Sequence, residues 1–318
     1  MRAPDFWTRD GVAALALTPF GALTAKATAW RLARPGWNAP VPVFCCGNAT
    51  MGGAGKTTLA LDLAARLLTR GRQVHFLSRG YGGSARGMVR VDTARHDSSL
   101  VGDEPLLLAR LAPCWVGPDR AELARAALAD GAEVLVMDDG LQNPDIVRRR
   151  NILVIDGASG FGNGRLFPAG PLRERPESAA ARCEIAVMIG EDRTGAIARL
   201  PPGMPVLEAA LVPESEEVVS GRRVFAFAGI ARPAKFRESL DTLGALVAGT
   251  RWFPDHHPYE PREVLRLLRA AEQAKAEPVT TPKDAVRLPP WARARVTVVG
   301  VGLAWADPNA LDIWLGDA

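Results

Sequence analysis

A glycine-rich segment, GNATMGGAGKT, occupies residues 47–57 and restricts the possible fold of this chain. It follows an apolar run at residues 41–46 that predicts a buried strand, and it leads into a helical pattern at residues 57–69. In that position glycines let backbone N–H groups approach phosphate oxygens, and the helix N-terminus adds partial positive charge. The segment therefore predicts a phosphate-binding P-loop, although Thr50 stands where such loops usually begin with glycine.

Two residues of this loop carry the chemistry that a P-loop supplies. Lys56 is predicted to reach the β- and γ-phosphates of a nucleotide, and the hydroxyl of Thr57 is predicted to hold Mg²⁺. The alternative is a glycine-rich turn between a strand and a helix, in which the lysine is incidental. The flanking strand and helix patterns favour the nucleotide site.

An acidic pair forms a second candidate site, because Asp138 and Asp139 follow the apolar run at residues 134–137. In P-loop proteins a carboxylate at the end of such a strand binds the metal or its water shell, and it offsets charge that develops during phosphoryl transfer. A strand that ends in Asp-Asp-Gly is also a common turn. Its pairing with the P-loop favours the catalytic interpretation.

Fully apolar strand patterns alternate with helical patterns from residue 41 onward. This alternation predicts a parallel sheet that helices cover on both faces. Strands are predicted at residues 41–46, 74–78, 114–116, 134–137, 152–155 and 185–189, and helices at residues 57–69, 105–111 and 121–129.

A stretch rich in proline and glutamate, residues 200–220, predicts a domain boundary. The patterns beyond it predict strands at residues 224–230, 279–281 and 296–300, and helices at residues 235–243 and 260–273. The chain should therefore have an α/β fold. We predict a P-loop NTPase-like domain at residues 39–218, with a parallel sheet sandwiched by helices, and a smaller α/β domain at residues 219–318.

The first 38 residues form a separate segment with two short helical patterns. The first covers residues 6–17, and the second begins with Thr18 as N-cap and Pro19 in its first turn. An aromatic and basic amphipathic helix of this kind suits the plane of an anionic membrane surface, and packing on the domain is the alternative. Its apolar residues at helical spacing are Phe20, Leu23, Ala27 and Trp30, and its basic residues are Lys26, Arg31 and Arg34.

The charge, apolar stretches and cysteines of the chain limit the kinds of partner and cellular location that we expect. The formal net charge is +4, of which residues 1–38 hold +3, so the rest of the chain has too little positive charge for a nucleic-acid binder. The uncharged stretch at residues 11–25 is shorter than the roughly 20 apolar residues of a spanning helix, and Pro19 interrupts it, so no transmembrane helix is expected. The four cysteines lack zinc-binding spacing and indicate reduced thiols in a cytoplasmic compartment. The charges counted at residues 1–38 are those of Arg2, Arg9, Lys26, Arg31 and Arg34 against Asp5 and Asp10.

Three further loops each allow two interpretations. Arg79, in the loop SRGYGG, could present its guanidinium to an anion, but a glycine turn explains the loop equally well. Asp103 stands just before the helical pattern at residues 105–111, which favours a role as helix N-cap. His256 lies in the loop DHHPY, where solvated histidines are the default and a metal site would need better-spaced ligands.

Eight blocks, in order over almost the whole chain, resemble the family of tetraacyldisaccharide 4′-kinases, the lipid A 4′-kinases. The GDEP, PAGPLRE and TTxKD patterns are far more specific than a P-loop, and serine or threonine is typical of this family at the position of Thr50. The blocks are GNATMGGAGKT (47–57), SRGYGG (78–83), VGDEPLLLAR (101–110), DDGLQ (138–142), GFGNGRLFPAGPLRE (160–174), FAGIARPAKF (227–236), FPDHHPY (253–259) and TTPKDAVRL (280–288).

The resemblance implies an activity and a location. This family phosphorylates the 4′-hydroxyl of an acylated glucosamine disaccharide 1-phosphate, using ATP and Mg²⁺, and the product is lipid IVA. The reaction takes place at the cytoplasmic face of the Gram-negative inner membrane. We therefore expect a peripheral protein that meets an anionic membrane surface and needs neither nucleic acid nor an obligate protein partner.

The resemblance also implies roles for individual residues. Asp103 matches an aspartate proposed as catalytic base, paired with a histidine that aligns with His256. Asp138 and Asp139 match the acidic pair near the metal and the nucleophile, with Thr57 as a further metal ligand. The residues expected to bind ATP are Thr50, Met51, Gly52, Gly53, Ala54, Gly55, Lys56 and Thr57, and those expected near the substrate are Arg173, Glu174, Arg79 and Gln142.

The departures from the family pattern are local. Leu141 and Asn143 stand where the family commonly has the phenylalanine and histidine of DDGFQH. Thr58 replaces a proline, and Pro282 replaces the glutamate of TTEKD. None of these changes affects Lys56, Asp103 or His256.

The alternative function is a P-loop ATPase switch of the metal-chaperone or partition type. A GTPase of that kind would need an Asn/Thr-Lys-x-Asp guanine reader, and Thr-Pro-Lys-Asp at residues 281–284 lacks this spacing. An ATPase switch would turn over without an acyl-disaccharide acceptor, whereas a kinase would require one. A membrane scaffold without turnover is disfavoured by the intact P-loop and the acidic pair.

Overall fold

The structure is a computed structural model that describes residues 4–9, 11–148, 150–214 and 216–316. Residues 1–3 and Asp10 of the predicted N-terminal segment lie outside the described residues. Arg2 and Asp10, two of the charged residues counted in that segment, are therefore not among the described residues. Ser215 of the predicted boundary and residues 317–318 of the predicted second domain also lie outside them.

The described residues contain strands in two sheets. The larger sheet has the order β13-β8-β7-β6-β1-β5-β2-β4-β3, and the smaller has the order β10-β9-β11-β12. The strands are β1 (Val43–Gly47), β2 (Val74–Ser78), β3 (Val89–Arg90), β4 (Cys114–Val116), β5 (Val134–Asp138), β6 (Arg150–Asp156), β7 (Ile185–Ile189), β8 (Val206–Pro213), β9 (Arg223–Ala228), β10 (Leu246–Trp252), β11 (Glu277–Thr280), β12 (Thr297–Val298) and β13 (Val301–Trp305).

Helices flank both sheets. Single turns of 3-10 helix occur at Asp5–Trp7 and Ile197–Arg199. The α-helices are α1 (Val12–Leu32), α2 (Lys56–Thr69), α3 (Ser98–Val101), α4 (Asp103–Leu108), α5 (Arg120–Ala129), α6 (Pro176–Ala180), α7 (Glu216–Val219), α8 (Pro233–Thr242), α9 (Pro261–Gln273), α10 (Pro282–Arg287), α11 (Pro290–Arg293) and α12 (Ala310–Leu315).

The centre of the larger sheet is buried on both faces. In β1, Phe44 packs in the apolar core that contains the helix α2, whereas Cys45 packs in the core that contains α5. This alternation explains why the strands of the sheet interior are apolar at every position. The predicted strands of this region and the α/β fold class are confirmed, with small shifts at the strand ends.

The second half of the chain departs from the predicted division. The stretch at residues 200–220 contains β8, which pairs in parallel with β7 in the larger sheet. The chain also returns after β12, because β13 pairs antiparallel with β8 and α12 packs in the core that contains α2. β13 thus joins the larger sheet and α12 packs against it, although the pattern placed both in the smaller domain. Without β13, β8 would be an edge strand with unpaired N–H and C=O groups, and β13 pairs with these groups.

The predicted pair of N-terminal helices is wrong, because one continuous helix, α1, covers this region. Pro19 lies inside α1, and Thr18 is not its N-cap; the Thr18 hydroxyl instead donates to the carbonyl of Ala14 at 2.8 Å. Because the helix passes through Pro19, it is long and apolar enough to cross a membrane, by length and composition only.

Candidate active site

The loop between β1 and α2 is held by its own polar groups. Gly55 has a left-handed backbone with φ of 86°, and a Cβ there would lie 2.5 Å from the Cδ1 of Ile189, so only glycine fits. The Asn48 Nδ2 donates to the Thr50 hydroxyl at 3.1 Å, so the residue that replaces the usual glycine helps to brace the loop. The loop therefore presents its backbone at the N-terminus of α2.

Lys56 is the first residue of α2 and is buried. Its Nζ donates to the carbonyl of Gly52 at 3.2 Å and lies 3.8 Å from the Oδ1 of Asp139. Burial lowers the pKa of Lys56, and the charge of Asp139 opposes that shift. The amine is thus held across the loop, between the carbonyl of Gly52 and the carboxylate of Asp139.

Asp138, at the end of β5, lies directly beside the loop because β5 pairs in parallel with β1. Its Oδ2 accepts a hydrogen bond from the Thr57 hydroxyl at 2.9 Å, while its buried Oδ1 has no partner among the described residues. Burial and the neighbouring charge of Asp139 raise the pKa of Asp138 to about 6. A buried carboxylate oxygen without a donor, next to a hydroxyl, fits a hard cation such as Mg²⁺.

Asp139 has a different environment. Its backbone is left-handed, with φ of 56°, and its two oxygens accept hydrogen bonds of 2.8 and 2.9 Å from NH1 and NH2 of Arg173. Burial acts to raise the pKa of Asp139, but Lys56 and Arg173 together bring it below its ordinary value. Asp139 is therefore a charged partner of two cations.

The segment that carries Arg173 and Glu174 is bonded to the P-loop. The backbone N–H of Met51 donates to the carbonyl of Pro171 at 2.7 Å, and that of Arg173 donates to Ala49 at 2.8 Å. The Gln142 Nε2 donates to Asn48 O at 2.8 Å and to Glu174 Oε1 at 2.9 Å. Glu174 also pairs with Arg182. Three of the four predicted substrate residues thus lie beside the P-loop, held by one another.

Asp103 is not a helix N-cap, because Gly102 occupies that position and Asp103 is the first residue of α4. Its buried carboxylate points across to the smaller sheet, where its Oδ2 lies 2.8 Å from the Nδ1 of His256. Burial acts to raise the pKa of Asp103, but the hydrogen bonds and charges of His256 and Arg287 lower it overall. The hydrogen bond to Asp103 raises the pKa of His256. The histidine expected to be solvated is therefore paired.

An ion pair between α4 and α10 lies next to this acid–histidine pair. The Nζ of Lys283, on α10, lies 2.6 Å from the Oε1 of Glu104, the residue after Asp103. The charges of both reach the P-loop side, because Glu104 contributes to the raised pKa of Asp138 and Lys283 contributes to the lowered pKa of Lys56. The charges of the Glu104–Lys283 pair therefore act weakly on the residues beside the P-loop.

Other candidate residues lie apart or were missed. Arg79 is exposed and has no hydrogen bond with any residue that the structure describes. The residue pattern by itself indicates no role for Lys283, Asp284 or Arg287, although the block TTPKDAVRL contains all three. Only folding brings this block to Asp103, so spacing alone carries no signal for its part in the site.

The N-terminal segment, which includes α1 and Trp7, contacts the segment that carries Arg173. Gly21 packs against Leu166, and the Trp7 indole N–H donates to the carbonyl of Pro168 at 3.1 Å. Ala14, Gly21 and Thr28, spaced by seven residues, are the buried residues of α1. The other side of α1 is exposed, with exposed fractions of 59% at Leu15, 65% at Leu23 and 68% at Trp30.

Comparisons with known proteins identify the family of this chain. The family model LpxK, described as tetraacyldisaccharide-1-P 4′-kinase, matches residues 13–318. The tetraacyldisaccharide 4′-kinase of Gluconacetobacter diazotrophicus is 57% identical over 325 residues, which cover 100% of this chain and 99% of that protein. The enzyme of the same name from Gluconobacter oxydans is 49% identical over 312 residues, 97% of this chain and 95% of that protein.

A solved structure leads to the same family. LpxK from Aquifex aeolicus, described as an apo form in complex with ATP, superposes with a TM-score of 0.74 at 26% identity, covering 95% of this chain and 98% of that one. The predicted resemblance and the use of ATP are confirmed, and the alternative of an ATPase switch is set aside. This chain belongs to the tetraacyldisaccharide-1-P 4′-kinase family and is an ATP-dependent kinase that phosphorylates the 4′-hydroxyl of the acylated disaccharide of lipid A biosynthesis.

Proposed function

We propose that Asp103 is the base of this kinase and that His256 supports it. The observation that carries the proposal is the 2.8 Å hydrogen bond between them, formed at the interface that also contains Glu104 and Lys283. In the transfer step the 4′-oxygen forms a bond to the γ-phosphorus as the bond between that phosphorus and the β–γ bridging oxygen breaks. The hydroxyl proton passes to Asp103, and ADP leaves with the bridging oxygen.

ATP is proposed to bind along Thr50–Thr57, with Lys56 on its phosphates. The buried amine donates to the carbonyl of Gly52 and is attracted by Asp139, so it is held beside the backbone of the loop. Because its pairing to Asp139 is long at 3.8 Å, a phosphate oxygen can compete for this cation without breaking a tight ion pair. The residues proposed to line the nucleotide are Thr50, Met51, Gly52, Gly53, Ala54, Gly55, Lys56 and Thr57.

Mg²⁺ is proposed to be held by Asp138 and Thr57. The unpartnered Oδ1 of Asp138 supports this choice, whereas both oxygens of Asp139 are bonded to Arg173. The described residues contain no cluster of three or more acidic, histidine or cysteine side chains that could hold a metal alone, which suits an ion that takes its other ligands from phosphates and water. When bound, the ion would offset the negative charge of the phosphates.

The lipid substrate is proposed to bind near Arg79, Gln142, Arg173 and Glu174. Arg79 is exposed and without a hydrogen-bond partner among the described residues, so its charge is available to an anionic group of the lipid. Glu174 is occupied by Gln142 and Arg182, so we assign it to holding the segment in place. Arg173, bonded to Asp139, would act between the substrate and the nucleotide site.

We also propose that α1 docks peripherally at the cytoplasmic face of the inner membrane. Its exposed side combines apolar residues with Lys26 and Arg31, which suits an anionic surface. The opposite side of α1 is held by Arg165 and Leu166, which favours a helix that lies along the membrane over one that crosses it.

Transfer of labelled phosphate tests the proposed chemistry. Purified protein would be incubated with γ-labelled ATP and a tetraacyldisaccharide 1-phosphate in detergent micelles, with and without Mg²⁺. We expect label in the lipid only when the acceptor and Mg²⁺ are present, and loss of transfer in D103A. Hydrolysis of ATP that does not depend on the acceptor would contradict the proposal.

A further inference from the structure

Arg287, the last residue of α10, is a second partner of Asp103. Its Nε donates to the Asp103 Oδ2 at 2.9 Å, and its NH2 donates to the same oxygen at 2.5 Å. The Arg287 side chain is only 3% exposed, so this charge pair is shielded from water. A buried arginine with two donors on one carboxylate oxygen fixes both the position and the charge of that carboxylate.

The two oxygens of Asp103 are used unequally. Oδ2 accepts hydrogen bonds from Arg287 and from the His256 Nδ1. Oδ1 has no hydrogen bond with the part of the chain that the structure describes. A carboxylate held by one oxygen keeps the lone pairs of the other available to a hydroxyl group.

Both partners of Asp103 are anchored on one carbonyl. The carbonyl of Gly229 accepts from Arg287 NH1 at 2.8 Å and from the backbone N–H of His256 at 3.1 Å. The N–H of Gly229 in turn donates to Asp284 at 2.7 Å. A Cβ at position 229 would lie 2.9 Å from the Cβ of His257, so a side chain there would disturb the arrangement.

We infer that Arg287 is a positioning residue for phosphoryl transfer, which holds Asp103 through Oδ2 so that Oδ1 faces the sugar hydroxyl. The inference rests on the proposed role of Asp103 as base. Arg287 also spans the interface between the sheets, so it holds the base only when α4 and α10 are in contact. A misplaced base would lower the rate of transfer without changing nucleotide binding.

The positive charge of Arg287 has a measurable consequence. The groups that face the Asp103 carboxylate are His256 and Arg287, with Glu104 beside it on α4 and Lys283 opposite on α10. Without Arg287, the carboxylate would protonate at higher pH, because an opposite charge has been removed. The acid side of the pH profile of kcat would therefore move to higher pH.

The test compares R287Q and R287K with the full-length wild-type kinase. For R287Q we expect kcat to fall by about a hundredfold, with KM for ATP within about twofold and the acid limb of kcat shifted to higher pH. R287K keeps the charge but lacks the forked donors, so we expect a smaller loss of kcat and an acid limb close to that of wild type. Wild-type kcat and acid limb in R287Q would overturn the inference.

The matched control is R293A. Arg293 donates to the carbonyls of Val286 and Leu288 but makes no bond to Asp103, so its loss perturbs the same region without moving the base. If R293A loses as much kcat as R287Q and the pH profiles coincide, Arg287 is merely structural. If R287Q does not fold, R287K decides alone: unchanged kcat overturns the inference, and lower kcat with unchanged KM for ATP supports it. D103A is measured in parallel, because turnover by that variant would instead contradict the proposed base.

Discussion

The Nδ1 of His256 lies 2.8 Å from the Oδ2 of Asp103, although 153 residues separate them in the sequence. Asp103 begins α4 beside the larger sheet, and His256 lies in the loop after β10 of the smaller sheet. The proposed base is therefore complete only when the two sheets are assembled. The proposed proton transfer to Asp103 therefore depends on the assembly of the two sheets.

Replacing Asp103 by Asn should lower kcat by about 10²–10⁴-fold, because the amide cannot accept the hydroxyl proton. The affinity for ATP should stay unchanged, since Asp103 makes no hydrogen bond to the loop at residues 47–57 within the described parts of the chain. Steady-state rates and nucleotide titration measure the two effects. K56A serves as the contrasting variant, because it should weaken ATP use directly, and a D103N kinase with near-normal kcat would refute the assignment.

The stability gained from His256 should depend on pH. Its pKa is raised above the ordinary 6.5 by the hydrogen bond to Asp103, so the protonated ring stabilises the fold below pH 6.5, and this gain is lost as pH rises through the folded-state pKa. The deficit in Tm of H256A relative to wild type should therefore be larger at pH 6 than at pH 9. In a D103N background the pH dependence of that deficit should disappear. A deficit that is equal at both pH values would argue against the charged pair.

Substitution of the two acidic residues should separate their roles. D138N should raise the Mg²⁺ concentration for half-maximal activity by at least about tenfold, because it removes the carboxylate whose Oδ1 is unpartnered. D139N should change this concentration less and should instead loosen Arg173, its bidentate partner. Activity measured over a Mg²⁺ titration distinguishes the variants, and equal shifts would mean that both carboxylates hold the ion.

Charges on the exposed side of α1 should release the protein from membranes. The triple variant L15E/L23E/W30E should weaken binding to anionic vesicles by at least about a hundredfold, because each apolar side chain contributes about 1.5–3 kcal/mol on leaving water. Deleting the helix is less informative, since α1 also packs on Leu166 near Arg173. Cosedimentation with phosphatidylglycerol-containing vesicles measures the effect.

The matched control for this membrane test places three glutamates at other exposed apolar positions. It replaces Leu246 on β10, Leu265 on α9 and Ile313 on α12. This variant should sediment with vesicles as wild type does. Equal loss in both triple variants would mean that charge alone, and not α1, governs binding.

Leu141, one of the departures from the family pattern, should matter for packing and not for chemistry. Its side chain is fully buried and lies against Gly47, at the end of β1. L141A should lower the free energy of unfolding by about 2–5 kcal/mol, and L141M, which conserves volume, should lower it by less than about 1.5 kcal/mol. Urea unfolding measures both. A large loss of kcat in a stable L141M would show a role in the reaction.

The P-loop and the acidic pair could be predicted because their signals are local. An apolar strand, a glycine-rich turn and a helix are contiguous at residues 41–69, and the ends of parallel strands meet at one edge of a sheet. Asp103 and His256 show the opposite case, because their spacing favoured a helix cap and a solvated loop. Only the family resemblance paired them, and their roles remain a prediction.

The α/β class, the strands of the sheet interior and the glycine-rich loop before α2 follow from the amino-acid sequence alone, because periodicity and turn chemistry act over a few residues. The tertiary structure decided which sheet receives β13, that α1 is one helix through Pro19, and that Arg287 bonds to Asp103. These features depend on which surfaces meet after folding. Strand pairing and burial between segments far apart in the chain leave no trace in residue spacing, so only the folded structure places these groups in contact.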